Sequence, residues 1–410
     1  MKLLKNKLAL SAAAALIVST SLFADNTSDI AELKKQIAEL TKQSKLLQEQ
    51  SQVLIDETSD LKTGFNYTTV DSTKSFSGLG AAASKVYYSK SPLSIGGYGE
   101  MYYSHTSNDN ASNSSKVDVY RFVPYIGYKF NDNTILNVEL EFEHGGVDSD
   151  GNGGEVIVEF MYLDFLFNKN VNIRVGNMLM PIGIINERHE PTLFTTVQRP
   201  LTSKYLIPTT WNESGIMVFG NIIDNLSYKV AGVTALKPKD SGNKWLRGGR
   251  GGSFENKDPE LGAVARVDYT GINGLLVGAS TYVDSDITMW ETHMDYNLNA
   301  LRVYGTYTQT DRSNTTTGQV EKANGGYLNI GYDLLSFTSS KNKLPLFVQF
   351  ESLSPQDDIA GSTGTDSIDI TTVGINYFPH EQVVLKLDYA MQEQNSIDAN
   401  TLSLSMGFIF

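Results

Sequence analysis

Two hydrophobic periods divide the chain. Between residues 28 and 61 apolar side chains recur every seven positions. One column reads Ile30, Ile37, Ser44, Ser51, Thr58, and the other Leu33, Leu40, Leu47, Leu54, Leu61. Charged and amide residues fill most of the positions between. A seven-residue repeat lines the seam of a supercoil, so residues 25–62 are expected to form a coiled coil. The leucine column is unbroken; the other turns polar after Ile37, which weakens the seam and helps set register. Isoleucine in one column with leucine in the other favours two strands. A single amphipathic helix packed on the rest of its own chain is the alternative.

From Pro92 onward the period is two. Over 117–130, Tyr120, Phe122, Ile126, Tyr128 and Phe130 share a face, and Arg121 and Lys129 take the other. Leu136, Val138, Leu140 and Phe142 alternate with Asn137, Glu139, Glu141 and Glu143. Val383, Leu385, Leu387, Tyr389 and Met391 alternate with Lys386, Asp388 and Gln392, and the pattern closes at Phe410. About 16 such segments can be counted, joined by alternately short and long connections. Among the long ones are 144–154, 181–213 and 237–259; the connection at 284–286 is too short for its side and 338–343 too long for its own. Phe130, Phe167, Tyr269, Tyr296, Tyr332, Tyr377 and Phe410 each lie near a short-turn end, and only the strand ending at Ile222 lacks such a ring. A soluble sandwich alternates as well, but it has no reason to repeat an aromatic girdle at one end of every second strand. The expected fold is therefore all-β: an antiparallel transmembrane β-barrel of about 16 strands over residues 93–410, preceded by a periplasmic coiled-coil helix.

Residues 63–92 are rich in Ser, Thr, Gly and Ala and read as a linker. Within them, Gly78-Leu79-Gly80-Ala81-Ala82-Ala83 matches a loose dinucleotide fingerprint, without a preceding buried strand or a following amphipathic helix to give it context. Residues 1–24 read as a signal peptide: Lys2, Lys5 and Lys7, an apolar run from Leu8 to Phe23, then Ala24. The alternative is a membrane anchor. Removing that segment takes the formal charge from −13 to −16. An acidic chain makes a poor nucleic-acid partner. The absence of cysteine excludes thiolate catalysis and Cys-based zinc sites.

Several stretches resemble the family that includes the phosphate-selective porins O and P. These are IGGYGE at 95–100, RFV at 121–123, NVELEFEH at 137–144, RVGNMLMPIGIINERHEP at 174–191, QRP at 198–200 and IPTTWNESG at 207–215. The resemblance covers 94–222 and implies a trimeric 16-stranded barrel with its third external loop folded inward. Members are known for basic ladders, whereas here acidic residues outnumber basic ones 38 to 25 over 68–410.

The inward faces and that third loop are where chemistry can sit. Glu187, Arg188, His189, Glu190, Arg199 and Lys204 are the candidate constriction, with Glu213 at the loop's end. Opposed charges across a narrow passage make a transverse field that discriminates ions. Four prolines, at 181, 191, 200 and 208, stiffen the loop; an external cap of solvated charges is the alternative. Lumen-facing candidates are Arg121, Glu139, Glu141, Glu143, Arg174, Lys229, Arg266, Glu291, His293, Asp295 and Arg302. Residues 139–143 would form an acidic ladder facing water. Lumen polarity accounts for Glu291, His293 and Asp295 without a metal, and 148–155 has some flavour of a calcium loop but lacks the spacing.

The function expected is a passive channel for small hydrophilic solutes and ions in a bacterial outer membrane, not an enzyme, with no cofactor. Expected partners are outer-membrane lipid and lipopolysaccharide and further copies of the chain, as a trimer, with peptidoglycan as a further candidate. A tether to the cell wall is the alternative: a helix of about 32 residues spans about 48 Å. A barrel hydrolase would need a Ser–His or Asp–His pair at the outer rim, which the sequence does not offer convincingly.

Overall fold

The computed structural model describes residues 27–66, 70–147, 153–239, 242–251, 255–395 and 397–410. The expected signal peptide and most of the 148–155 loop lie outside these. The chain falls into two units, Met1–Asn66 and Tyr67–Phe410.

The described residues of the first unit form one helix, α1 (Thr27–Asn66), where the seven-residue repeat predicts it. Leu33 is half-buried, but Ile37, Leu40 and Leu47 are 41%, 61% and 65% exposed. An apolar column left bare on an isolated helix contributes no burial energy until something covers it.

The second unit is a single closed antiparallel sheet. Its strands are β1 (Leu93–Asn108), β2 (Ser114–Asn131), β3 (Thr134–Glu143), β4 (Val156–Leu166), β5 (Asn172–Leu179), β6 (Asn212–Ile223), β7 (Leu226–Thr234) and β8 (Leu261–Tyr269). There follow β9 (Leu275–Val283), β10 (Ile287–Leu298), β11 (Leu301–Arg312), β12 (Val320–Asp333) and β13 (Pro345–Ile359). The last are β14 (Ser362–Thr363), β15 (Ile368–His380), β16 (Val383–Gln394) and β17 (Ile397–Ile409). Because β14 is a two-residue extension on the loop after β13, sixteen strands make up the wall. Each pairs with its sequence neighbour, and β1 closes the cylinder on β17, with Tyr98 opposite Ile409 and Asn108 opposite Ala399. Closure leaves no unpaired edge, which is what a membrane requires of strands.

Alternation sets the two faces. On β10, Ile287, Met289, Glu291, His293 and Asp295 are buried while Thr288, Trp290 and Thr292 are exposed. Outward positions carry the apolar side chains, among them Phe122, Val230, Val267, Phe350 and Leu404. Tight turns fit their residues: Asn225 sits at φ 64° in the two-residue connection from β6 to β7, a left-handed conformation that asparagine tolerates. The 284–286 connection is as short in the fold as in the sequence.

The stretch 63–92 does more than link. After α1 ends at Asn66, residues 81–88 form a second helix, α2 (Ala81–Tyr88), with Ala81 to Val86 buried. It lies inside the barrel against inward positions: Asn137 Nδ2 donates to Ala83 O at 2.8 Å and Tyr87 Oη donates to Asp164 Oδ2 at 2.6 Å. A Cβ on Gly127 of β2 would run into Val86, so glycine there lets the helix lie against the wall. A helix therefore does follow the Gly78–Gly80 run, contrary to the sequence expectation.

Candidate functional site

The site is the lumen, and loop 3 (residues 180–211, between β5 and β6) fills much of it. Its side chains from Ile182 to Trp211 are mostly buried, which a solvated external cap could not achieve. Glu213 belongs not to the loop but to β6, where it accepts from Trp211 Nε1 at 3.0 Å.

The loop is anchored around the barrel by polar contacts. In its first arm, Glu187 receives Lys229 Nζ at 2.5 Å, and Arg188 meets Asp295 at 3.5 Å. His189 Nε2 lies 3.0 Å from Glu139 Oε1. Glu190 Oε1 accepts from the backbone N–H groups of Ala82 and Ala83 at 3.0 and 3.1 Å, so its carboxylate sits on the positive end of α2. A Cβ at residue 80 would collide with that carboxylate. Burial lifts the Glu190 carboxyl to about 7, and the α2 amides act against that rise.

The middle of the loop is held by the opposite wall. Thr195 N donates to Tyr304 Oη at 3.1 Å and Val197 N to Asp388 Oδ2 at 2.6 Å. Lys386 Nζ donates to the carbonyls of Phe194 and Thr196 at 2.9 and 3.0 Å, and Asn376 Nδ2 to that of Thr195 at 3.0 Å. Further on, Thr202 N donates to Glu351 Oε1 at 2.5 Å. Two cavities flank this crossing. One of about 340 Å³ lies toward the short-turn end, beside Arg188, Leu193 to Thr195, Asp295 and Arg302. The other, of about 260 Å³, lies toward the long-loop end, beside Thr196, Arg199, Glu351 and Asp388. They share no lining residue, so the 194–197 segment stands between them.

The other candidate residues are distributed as follows. Arg121 is buried among acids, its Nε 2.9 Å from Glu100, NH1 3.2 Å from Glu141 and NH2 3.8 Å from Glu143. Glu139 and Glu141 are therefore not a ladder facing water; they are enclosed at 0% and 2% exposure. Arg174 makes a bidentate pair with Asp164 at 2.8 and 2.9 Å. His293 stands between Glu291 and Asp268, at 3.0 and 2.9 Å, and Asp268 also pairs with Arg266 at 2.8 Å. Asp295 belongs to a separate group, with Arg302 at 3.0 Å. Arg188 and Arg199 are not neighbours: they line cavities on opposite sides of the loop. Lys204 is half-buried, and burial together with Arg247 and Lys244 pushes its ammonium down to about 8.

Four side chains are absent from the sequence expectation. The connection after β7 also enters the lumen: Trp245 is fully buried, its Nε1 donating to Pro355 O at 2.7 Å. Arg247 and Arg250 both donate to Thr209 O, the latter at 2.8 Å. A tryptophan amid glycine and arginine in a supposed external loop was the available signal. The fourth is Glu159. Counting alternately from Tyr162 and Phe160 puts it on the outward face. A β-bulge, where Glu139 faces Phe160 but Leu140 faces Val158, turns it inward to 0% exposure.

No protein-family profile matches the chain. A protein of Aquifex aeolicus (strain VF5) described only as uncharacterized is 32% identical over 352 residues, covering 78% of this chain and 80% of its own. The chain belongs to the same family as that Aquifex protein. Solved structures of similar fold include an anion-selective porin from Comamonas acidovorans (TM-score 0.55, 11% identity, 78% of this chain and 99% of that one). Another is the outer-membrane channel DcaP of Acinetobacter baumannii (TM-score 0.54, 9% identity, 78% and 97%). A third is Salmonella typhi OmpF (TM-score 0.53, 10% identity, 78% and 97%). At such identities the likeness is one of fold, and the fold of this family is that of outer-membrane porins.

Proposed function

We propose that the chain is a porin of the outer membrane, a passive diffusion channel for small hydrophilic solutes and ions. The observation that carries this reading is the pair of polar-lined cavities inside a closed barrel, separated by a loop held by side-chain hydrogen bonds. An apolar outward band and aromatic rings at the short-turn ends suit insertion in lipid. Glu187, Arg188, His189, Glu190, Arg199 and Lys204 act through the loop they build, and the 194–197 segment is the crossing between the two cavities. The Comamonas porin and the Acinetobacter channel, alike in fold, accord with this. The exposed Leu40 and Leu47 of α1 support assembly of several copies, as in the trimer form described for an OmpT of Vibrio cholerae with TM-score 0.51. Phosphate selectivity has no support from a lumen whose cavities carry both signs of charge.

The test is conductance of the purified full-length chain in planar bilayers. Discrete steps are expected. A folded barrel that inserts and never conducts would overturn the channel and favour the tether, for which α1, about 60 Å at 1.5 Å per residue, has the reach.

A further inference from the structure

Glu139, Glu159 and His189 converge from β3, from the bulge of β4 and from loop 3, with one potential ligand atom of each lying within 4.8 Å of the others. All three side chains are buried, at 0%, 0% and 2% exposure. The ring of His189 is oriented: Nδ1 is 2.8 Å from Asn186 O, so that nitrogen carries the hydrogen and donates it. The Nε2 lone pair is then directed at Glu139 Oε1, 3.0 Å away, and Glu159 Oε2, 3.7 Å away. An imidazole fixed from behind by a carbonyl and facing carboxylates is the arrangement that presents histidine to a metal.

The carboxylates are short of partners. No N–H or hydroxyl among the described residues donates to either oxygen of Glu159 or to Oε2 of Glu139, and the carboxyls of Glu139 and Glu141 lie against that of Glu159. Among the described residues no lysine or arginine comes within ion-pair distance of either one. Arg121 is committed to Glu100 and Glu141, and Arg199 NH2 reaches the carbonyl of His189 instead. Uncompensated buried charge is costly. A proton on Nε2 would serve one oxygen and leave the others bare, whereas a divalent ion serves all three side chains at once. At tetrahedral metal–ligand bonds of about 2.0–2.2 Å, neighbouring ligand atoms sit about 3.3–3.6 Å apart. The separations of 3.0 and 3.7 Å from His189 Nε2 bracket that range to within a few tenths of an ångström.

We propose that Glu139, Glu159 and His189 bind one divalent transition ion of the zinc or manganese kind, which clasps the first arm of loop 3 to the barrel wall. One imidazole nitrogen with two carboxylates suits these ions better than calcium or magnesium, which prefer all-oxygen sets. The bulge at Glu159 then has a purpose, since without it the carboxylate would face outward. The site requires no conduction, so its failure and that of the channel reading are separable.

The experiment uses the full-length chain in detergent, stripped with chelator, exposed to Zn²⁺ or Mn²⁺ and gel-filtered before elemental analysis. The expected result is about one bound ion per chain, with affinity falling at least about tenfold in Glu159→Gln and in His189→Gln. Substitution with Co²⁺ supplies a second readout: a visible absorption band present in wild type and absent in His189→Gln. Electrophoretic mobility before and after heating shows which variants are folded, and the isosteric Glu159→Gln decides if His189→Gln is not. Wild type retaining no ion, Glu159→Gln binding as tightly as wild type, or Ca²⁺ displacing Zn²⁺ at equal concentration would each overturn the proposal.

Discussion

Lys386→Met tests what holds the middle of loop 3. Lys386 is 3% exposed, and its ammonium lies 3.9 Å from the centre of the Phe194 ring and donates to two loop carbonyls. Hydrogen bonds from a charged group contribute about 1.5–3 kcal/mol each. Methionine keeps the stem's packing and volume but neither bond. Taking the lower figure twice, release of the 194–197 segment becomes easier by about 3 kcal/mol, roughly a hundredfold in the local opening equilibrium. The β15–β16 and β16–β17 ladders use backbone groups only and should be untouched. Amide exchange reads this directly: the Val197 N–H, which donates to Asp388, should lose about two orders of magnitude of protection while β16 amides keep theirs. In bilayers the same variant should conduct more and with more noise, because the crossing between the two cavities is loosened. Unchanged protection at Val197 would refute the argument that Lys386 anchors the loop. Loss of protection across β16 as well would show that the substitution acts on the wall and not on the loop.

Three further outcomes are expected. In a potassium chloride gradient the reversal potential should lie slightly on the cation side, and Arg199→Ala should move it further, since Arg199 shares its cavity with Glu351 and Asp388; a clear anion preference would contradict this. Lys204, with an ammonium held down to about 8, loses its charge as pH rises through that value in the folded state, before it would at 10.5 unfolded. The unfolded chain then binds more protons between those values, so stability should rise with pH over that window and cation preference should strengthen, both effects vanishing in Lys204→Met. Deleting residues 25–62 should weaken assembly on sizing columns yet leave single-channel conductance intact; loss of barrel insertion would show that α1 is integral to the barrel.

The wall was legible because its physics is local. A strand between water and lipid must alternate, so reading Leu136 against Glu139 suffices to orient β3 without knowing its neighbours. Phe130, Phe167 and Tyr269 marked the short-turn ends for the same reason. What fills the lumen is decided by contacts far apart in sequence, and these leave little trace. Glu190 finds the amides of Ala82 and Ala83 more than a hundred residues away, and Trp245 finds Pro355. Nothing in a Ser/Ala-rich stretch announces that it will become an enclosed helix. Prolines and mixed charge did mark 181–213 as a loop destined for the interior. Glu159 escapes a reading of the sequence for a definite reason: one bulge shifts the phase of alternation, and only the pairing partner reveals it.

The seam between β1 and β17 joins the first strand of the cylinder to the last. The α2 segment and loop 3 both lie within that cylinder, bonded to each other and to its wall. The cylinder therefore has to be curled around its own contents, like staves set about a former, and sealed only when the final strand arrives. The order of synthesis suits this, since α2 emerges before any stave and β17 after all of them. In such a sequence of events the former is never withdrawn: the piece that shaped the vessel stays behind as part of its lining.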